Sequence, residues 1–239
     1  MRTLIIIPAY NEERNMGKLV DEVFKYRDEK MDICIVNDCS TDQTKEVVKK
    51  DKGIIILNLP VNLGIGGAVQ TGYKYAFDNN YSVAVQLDGD YQHDPKYLAE
   101  LLKELNNGYD MVIGSRFIDP SYMGYKSTFM RRLGSKFISL ELALLYGRRI
   151  TDPTSGYRAI NRKAIELFSH YYPPEYPEPE STAILFRNGM RIKEFQVSMR
   201  ERTEGKSSIT FFKAIYYMIN VAISLLIDRI KRRDDGVII

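Results

Sequence analysis

Short β-branched runs alternate with stretches of helical repeat through the first half of the chain. Leu4 to Ile7 is a continuous apolar run closed by Pro8, which predicts a first buried strand. Asn11 is placed to cap a helix whose apolar stripe is Met16, Leu19, Val20, Val23 and Phe24. Asp32 to Val36, Ile54 to Leu57, Val83 to Leu87 and Met111 to Ile113 read as four more strands. The intervening helices are predicted from Thr41 or Asp42 through Val47 and Val48, and from about Gly67 to Phe77. A further helix is capped by Asp94, with Pro95 in its first turn and Leu98, Leu101, Leu102 and Leu105 as its stripe.

Strand–helix alternation with nearly uninterrupted apolar strands implies an α/β fold, a mostly parallel sheet covered by helices on both faces. Ligands of such sheets lie outside the carboxyl ends of the strands. Tyr10-Asn11, Asn37-Asp38, Asn62-Leu63-Gly64 and Asp88-Gly89-Asp90 follow the first four strands, so polar and acidic groups gather where a ligand belongs.

The second half changes character. Residues 128–147 predict a helix that mixes Arg131, Arg132 and Lys136 with Phe129, Leu133, Phe137, Ile138 and Leu140. Thr151 to Arg158 reads as a polar turn. Residues 171–180, with Pro173, Pro174, Pro177 and Pro179, read as a loop. A short helix, a strand from Ile192 to Val197 and a basic loop from Arg200 to Ser208 follow. An apolar segment from Ile209 to Ile227 is trailed by Arg229, Lys231, Arg232 and Arg233. The organisation expected is one domain over 1–208, with a first part (1–118) and a second part (119–208), and then a C-terminal segment over 209–239. Lys213 interrupts that segment and leaves the 14 residues Ala214 to Ile227. As a helix they span about 21 Å, against about 30 Å for a bilayer core. A single-pass anchor is not expected. An interfacial helix, or a docking helix for a small membrane protein, would turn the Arg/Lys cluster to anionic lipid. Burial in a core or in a homo-oligomer interface is the alternative.

Composition narrows the class. The 239 residues are 44% hydrophobic and 27% charged, ordinary globular usage that excludes a disordered, collagenous or disulfide-scaffold chain. A net charge of +3 argues against nucleic acid as a partner while permitting a local phosphate or membrane site. Cys34 and Cys39 lack the partners of a zinc site and are expected as buried thiols in a reducing compartment. The first apolar run is too short for a signal peptide, so a cytoplasmic location is expected.

Three attractive motifs fail on their own terms. Gly64-Ile65-Gly66-Gly67 has Val69 where a dinucleotide fingerprint needs glycine, and it follows the third strand instead of the first. Gly205-Lys206-Ser207 has Arg200 where a phosphate-binding P-loop needs glycine. His93 beside Asp94 has only His170 as a fellow histidine and no nucleophile in context, so a loop hydrogen bond is its expected role.

Asp88-Gly89-Asp90 carries the strongest signal. Two carboxylates one glycine apart can converge on a hard cation, Mg²⁺ or Mn²⁺, that keeps positions open for substrate phosphates. A solvated acidic turn explains the tripeptide alone equally well. Asp38 at the neighbouring strand end, with Arg202 and Lys206 downstream, favours a diphosphate site.

With these residues in place, the chain resembles the family 2 glycosyltransferases of GT-A fold, and is similar to the dolichyl- and polyprenyl-phosphate sugar synthases. The stretches that carry the resemblance are Ile6 to Glu12, Val36 to Asp42, Asn62 to Gly64, Gln86 to Gln92, Gly114 to Phe117 and Asp152 to Arg158, in order over roughly 1–210. The resemblance implies that Pro8, Tyr10, Glu12 and Gly89 surround the nucleotide and that Asp38 accepts a hydrogen bond from the base. It implies that Asp88 faces ribose and metal, that Asp90 and Gln92 ligate the metal, and that Arg202 holds the diphosphate. Arg116, Arg131 and Ser135 match positions that hold the acceptor phosphate. The family loop often reads Arg-x-x-Gly-x-Ser-Lys. Here it is Arg202-Thr203-Glu204-Gly205-Lys206-Ser207-Ser208, so the lysine role moves to Lys206.

The reaction expected is inverting transfer of a sugar from a UDP- or GDP-sugar to a polyprenyl phosphate at the cytoplasmic membrane face. A phosphomonoester, with its second pKa near 6, is largely dianionic at neutral pH and needs cations more than a base. A hydroxyl acceptor on a cell-wall or surface-polysaccharide precursor is the alternative, and it needs a general base, Glu178 or Glu180, with Glu180 the candidate. A non-catalytic nucleotide-sugar-binding subunit is the third reading.

Overall fold

A computed structural model describes residues 1–48, 54–119, 129–200 and 211–231, with side chains described for all of these except 48, 129–131 and 211–215. Seven strands form one sheet in the order β3-β2-β1-β4-β6-β5-β7. They are β1 (Thr3–Ala9), β2 (Met31–Asn37), β3 (Ile54–Asn58), β4 (Val83–Gln86), β5 (Met111–Ser115), β6 (Arg158–Asn161) and β7 (Ile192–Gln196). All run parallel except β6, which is antiparallel to both β4 and β5.

Successive side chains of a strand point to opposite faces, and β1 shows the result. Ile5 and Ile7 enter one core with Leu19 and Val20 of α1 (Glu13–Tyr26) and Leu98 and Leu101 of α4 (Leu98–Asn106). Leu4 and Ile6 enter the other, with Val69 and Tyr73 of α3 (Gly64–Asp78) and Ile165 and Phe168 of α6 (Arg162–His170). The short α2 (Thr44–Val48) follows β2. A third cluster joins Ile138 and Leu142 of α5 (Phe129–Tyr146), Ala183 of α7 (Pro177–Arg187), and Val221 and Leu225 of α8 (Phe211–Ile230). Each such fully buried aliphatic side chain contributes about 1.5–3 kcal/mol.

Several sequence expectations are corrected. Asn11 does not cap α1. Its backbone is left-handed (φ 56°), and its Oδ1 accepts the Thr41 N–H at 2.8 Å. The first N–H groups of α1 are satisfied from the next loop instead: Glu12 N donates to Thr44 Oγ1 and Glu13 N to Asp42 Oδ2. α3 begins at Gly64, earlier than the glycine run suggested. Pro177 and Pro179 lie in the first turn of α7, where a missing N–H costs nothing, so the loop ends at 176. β6 and α6 replace the unassigned stretch after the polar turn. The Asn161 side chain caps α6 by accepting the Ala164 N–H. Cys34 is buried as expected, but Cys39 is only half-buried and left-handed (φ 59°).

Candidate active site

Because six strands run the same way, their carboxyl ends meet at one edge, and the antiparallel β6 brings its beginning there. The loops after β1 and β2 are zipped together by the Asn11, Glu12 and Glu13 bonds above. Ser40 Oγ also accepts the Asn11 N–H, and Glu13 Oε2 accepts the Gln43 N–H. Asp42 is held below the ordinary carboxylate range: burial alone raises it, and the bonds from Thr44 and the Glu13 N–H outweigh that effect. Pro8 is buried and Tyr10 is exposed at this edge. Glu12 is half-buried and accepts the Asn15 side-chain N–H at 2.8 Å.

Asp38 is buried, and its Oδ1 accepts the Leu63 N–H at 2.7 Å at the start of α3. There it complements the positive end of that helix.

The acidic turn presses against β1. A Cβ at Gly89 would lie 2.8 Å from the Pro8 carbonyl oxygen, so only glycine permits the approach. Asp88 Oδ1 accepts from Gln86 Nε2 at 3.1 Å, and the Asp88 N–H donates to His93 Nδ1 at 3.0 Å. His93 is buried and stacked on Tyr157, with ring centroids 4.9 Å apart, so its place is the loop hydrogen bond expected for it. Asp90 Oδ1 accepts the Gln92 N–H. Gln92 Nε2 donates to the Arg200 carbonyl, so the side chain expected to ligate a metal also holds the chain leaving β7.

Opposite Asp88 lies the turn before β6. A Cβ at Gly156 would come within 2.8 Å of Asp88 Oδ2 and 3.0 Å of Oδ1. Behind it, fully buried Arg158 donates to the Ser155 and Pro153 carbonyls and to Ser181 Oγ, tying this turn to α7. Sequence reasoning singled out Arg158 only as part of a family motif. Its structural role depends on groups that the fold alone brings together.

Arg116 forms a two-pronged pair with fully buried Asp152, both bonds 2.7 Å, and also donates to Thr154 Oγ1. Its fork locks the 151–154 turn to the end of β5. Ser135 is buried and donates to the Thr151 carbonyl at 3.3 Å, on the same turn. The side chain of Arg131 lies outside the described residues, as do Arg202 and Lys206. The described stretch that begins at 129 runs to Arg200, whose N–H donates to the Gln92 carbonyl at 2.9 Å, two residues short of Arg202.

The two candidate bases part company on α7. Glu180 faces α8: burial raises its pKa, offset by a bond from Ser224 and by Lys231. Glu178 is partly buried, within electrostatic reach of Arg158, Asp88 and Arg116. Burial raises it to about 6, with Arg158 opposing and Asp88 reinforcing the shift.

Among the described residues no three His, Cys, Asp or Glu side chains form a ready-made metal cage. Asp88 and Asp90, hard oxygen donors on a turn pinned by Gly89, fit a divalent cation whose remaining ligands are phosphate oxygens.

The family profile described as glycosyl transferase family 2 matches residues 4–168. An undecaprenyl-phosphate mannosyltransferase of Micrococcus luteus is 31% identical over 221 residues, spanning 88% of each chain. A UDP-N-acetylglucosamine–dolichyl-phosphate N-acetylglucosaminyltransferase of Methanococcus voltae is 26% identical over 247 residues, covering 94% of this chain and 97% of its own. Among solved structures, glucosyl-3-phosphoglycerate synthase of Mycobacterium tuberculosis, bound to Mn²⁺, uridine diphosphate and phosphoglyceric acid, matches 98% of this chain and 80% of that one. Its TM-score is 0.70 at 20% identity, a likeness of fold.

Proposed function

The chain belongs to glycosyl transferase family 2, and from that premise we propose that it moves a sugar, with inversion, from a UDP- or GDP-sugar to a polyprenyl phosphate at the cytoplasmic face of a membrane. The observation that carries this reading is the gathering of Asp38, Asp88, Asp90, the Arg116–Asp152 turn and the Gln92–Arg200 pair at one sheet edge. The relatives named for undecaprenyl- and dolichyl-phosphate transfer support the acceptor class.

In this reading Pro8, Tyr10, Glu12 and Asp38 hold the nucleotide. Asp88 and Asp90, with Gln92, hold Mg²⁺ or Mn²⁺, which neutralises charge growing on the departing diphosphate. Arg202 and Lys206 add fixed positive charge at the same place. Arg116, kept in position by Asp152, works with Ser135 and Arg131 to dock the acceptor phosphate. That phosphate attacks the anomeric carbon from the face opposite the leaving group. Being largely dianionic at neutral pH, it attacks without a base.

Among the described residues no helix is long and apolar enough to cross a membrane. The proposed association is peripheral, through the exposed apolar faces of α5 and α8.

One observation favours a second reading. A carboxyl raised to about 6 by burial and by the Asp88 charge, as Glu178 is, suits a general base for a hydroxyl acceptor. Purified protein should be incubated with undecaprenyl or dolichyl phosphate, Mg²⁺ or Mn²⁺, and a panel of UDP- and GDP-sugars, with products read by mass spectrometry. A sugar-phosphate lipid is expected. Nucleotide binding without such a product from any donor would overturn the proposal. Transfer to a hydroxyl acceptor that disappears in Glu178→Gln would establish the second reading.

A further inference from the structure

At the sheet edge away from the acidic turn, where β5 and β7 begin, an open groove of about 440 Å³ is lined by Tyr109, Arg148, Arg149, Phe186 and Arg191 over a floor of two isoleucines. Three guanidinium groups share it and, among the described residues, no carboxylate lines it, in a chain whose whole net charge is +3. Two acids of the flanking elements already have partners. Asp110 accepts from the Arg191 N–H and from Asn161 Nδ2, and Glu104 pairs with Lys193.

Two of the arginines are held in place. Gly147, left-handed at φ 68°, ends α5 and turns the chain out. Arg148 then donates to the Met190 carbonyl at 2.8 Å, with its guanidinium carbon 5.6 Å from the Phe186 ring centre. Arg191 lies over Tyr109 at 4.9 Å. Guanidinium groups stacked on rings keep their N–H edges for a planar or tetrahedral oxyanion.

The groove also ends an apolar ridge. Leu133, Phe137, Leu140 and Leu144 are exposed along α5, and Leu144, 77% exposed, stands four residues before Arg148. α8, packed against α5, exposes Tyr216, Ile219, Ile223, Ile227 and Ile230. At its end Arg229 donates to the Leu145 carbonyl. Apolar side chains in a row, finishing in a cluster of cations, match the division of a lipid into acyl chain and phosphate.

We propose that this groove binds the phosphate headgroup of an anionic phospholipid while the α5–α8 ridge meets the acyl layer, orienting the protein on its membrane. The proposal rests on the peripheral-membrane reading above. It adds a second phosphate site, distinct from the one that takes the acceptor.

The test is co-sedimentation of the full chain with phosphatidylcholine vesicles made with and without phosphatidylglycerol. Wild type should partition more strongly onto the anionic vesicles. Arg148→Gln/Arg149→Gln/Arg191→Gln should lose that preference by at least about tenfold. Lys18→Gln/Lys25→Gln/Lys30→Gln removes the same charge from exposed positions near α1 and should keep it. Should the triple arginine change upset folding, Arg149→Glu alone, at an exposed position, should give the same loss. Equal losses in the arginine and lysine variants would reduce the effect to net charge and overturn the proposal. Release of wild type by inorganic phosphate at constant ionic strength would assign the groove to a free ion and overturn the lipid assignment. Transfer to detergent-dispersed polyprenyl phosphate, measured in the same preparations, should be unchanged in the arginine variant. If wild type lacks that transfer, the catalytic reading fails, while the vesicle comparison still decides the groove.

Discussion

Gln92 and Arg200 bond each other twice across 108 residues of chain: the Arg200 N–H donates to the Gln92 carbonyl, and Gln92 Nε2 donates to the Arg200 carbonyl. The Arg200 guanidinium extends the attachment. It pairs with Glu22 at 2.6 Å and Asp94 at 3.2 Å, and it covers the face of Tyr91 at 4.3 Å. The acidic turn and the start of the basic loop therefore move together.

Arg200→Lys keeps the charge but loses the fork that spans Glu22 and Asp94. The donor kcat/KM should fall about tenfold, equivalent to about 1.4 kcal/mol, mainly through KM. Because the pair is partly exposed, the melting temperature should move by only a few degrees. Donor kinetics and a thermal melt on the same sample check both.

Asp90→Asn preserves an oxygen able to accept the Gln92 N–H, so the turn should keep its shape. It removes the negative charge that the proposed metal needs. Turnover with Mn²⁺ should drop about 10²–10³-fold with little change in unfolding temperature. Unaltered metal-dependent rates would remove Asp90 from the metal site.

Gly156→Ala puts a methyl group within 2.8 Å of Asp88 Oδ2, against a carboxylate that Gln86 also holds. Asp88 must shift, and a displacement near 1 Å at a positioned group costs about 10²-fold in rate. The check is a large loss of kcat in a protein whose circular dichroism is that of wild type.

Glu178 sets a pH dependence of stability whose direction follows from its raised pKa, about 6 against 4.5. Between those values the native chain holds a proton that the unfolded chain has released. Stability therefore declines as pH rises through this window and stays lower above it, by about 2 kcal/mol. Glu178→Gln should flatten the profile and raise stability at pH 7.5 by up to about 2 kcal/mol, less what Arg158 loses with its counter-charge. Urea midpoints at pH 5 and pH 7.5 measure this directly.

The parallel half of the fold was legible because β1 to β5 are continuous apolar runs and their helices carry a clean repeat. The strand-end residues Asp38, Asp88 and Asp90 followed from that frame. β6 was not legible: it is four residues, Arg158–Asn161, with a charged and an amide residue around two apolar ones. α6 had a readable signal in Ala164, Ile165 and Phe168 behind the capping Asn161, hidden by its position between two irregular stretches. Asn11 had the right residue type for a cap, but the loops after β1 and β2 offered it a different partner. The Arg116–Asp152 pair and the separation of Glu178 from Glu180 depend on contacts between distant parts of the chain, which no local pattern records.

β6 has a consequence for recombination. It hydrogen-bonds to β4 and β5, which both precede residue 118, yet it is encoded after them. A graft that exchanges the residues after 118 with those of a relative must carry over a strand whose register matches two neighbours it did not evolve beside. Crossovers placed after 161 keep that strand with its own neighbours, and should yield soluble hybrids more often than crossovers at 118.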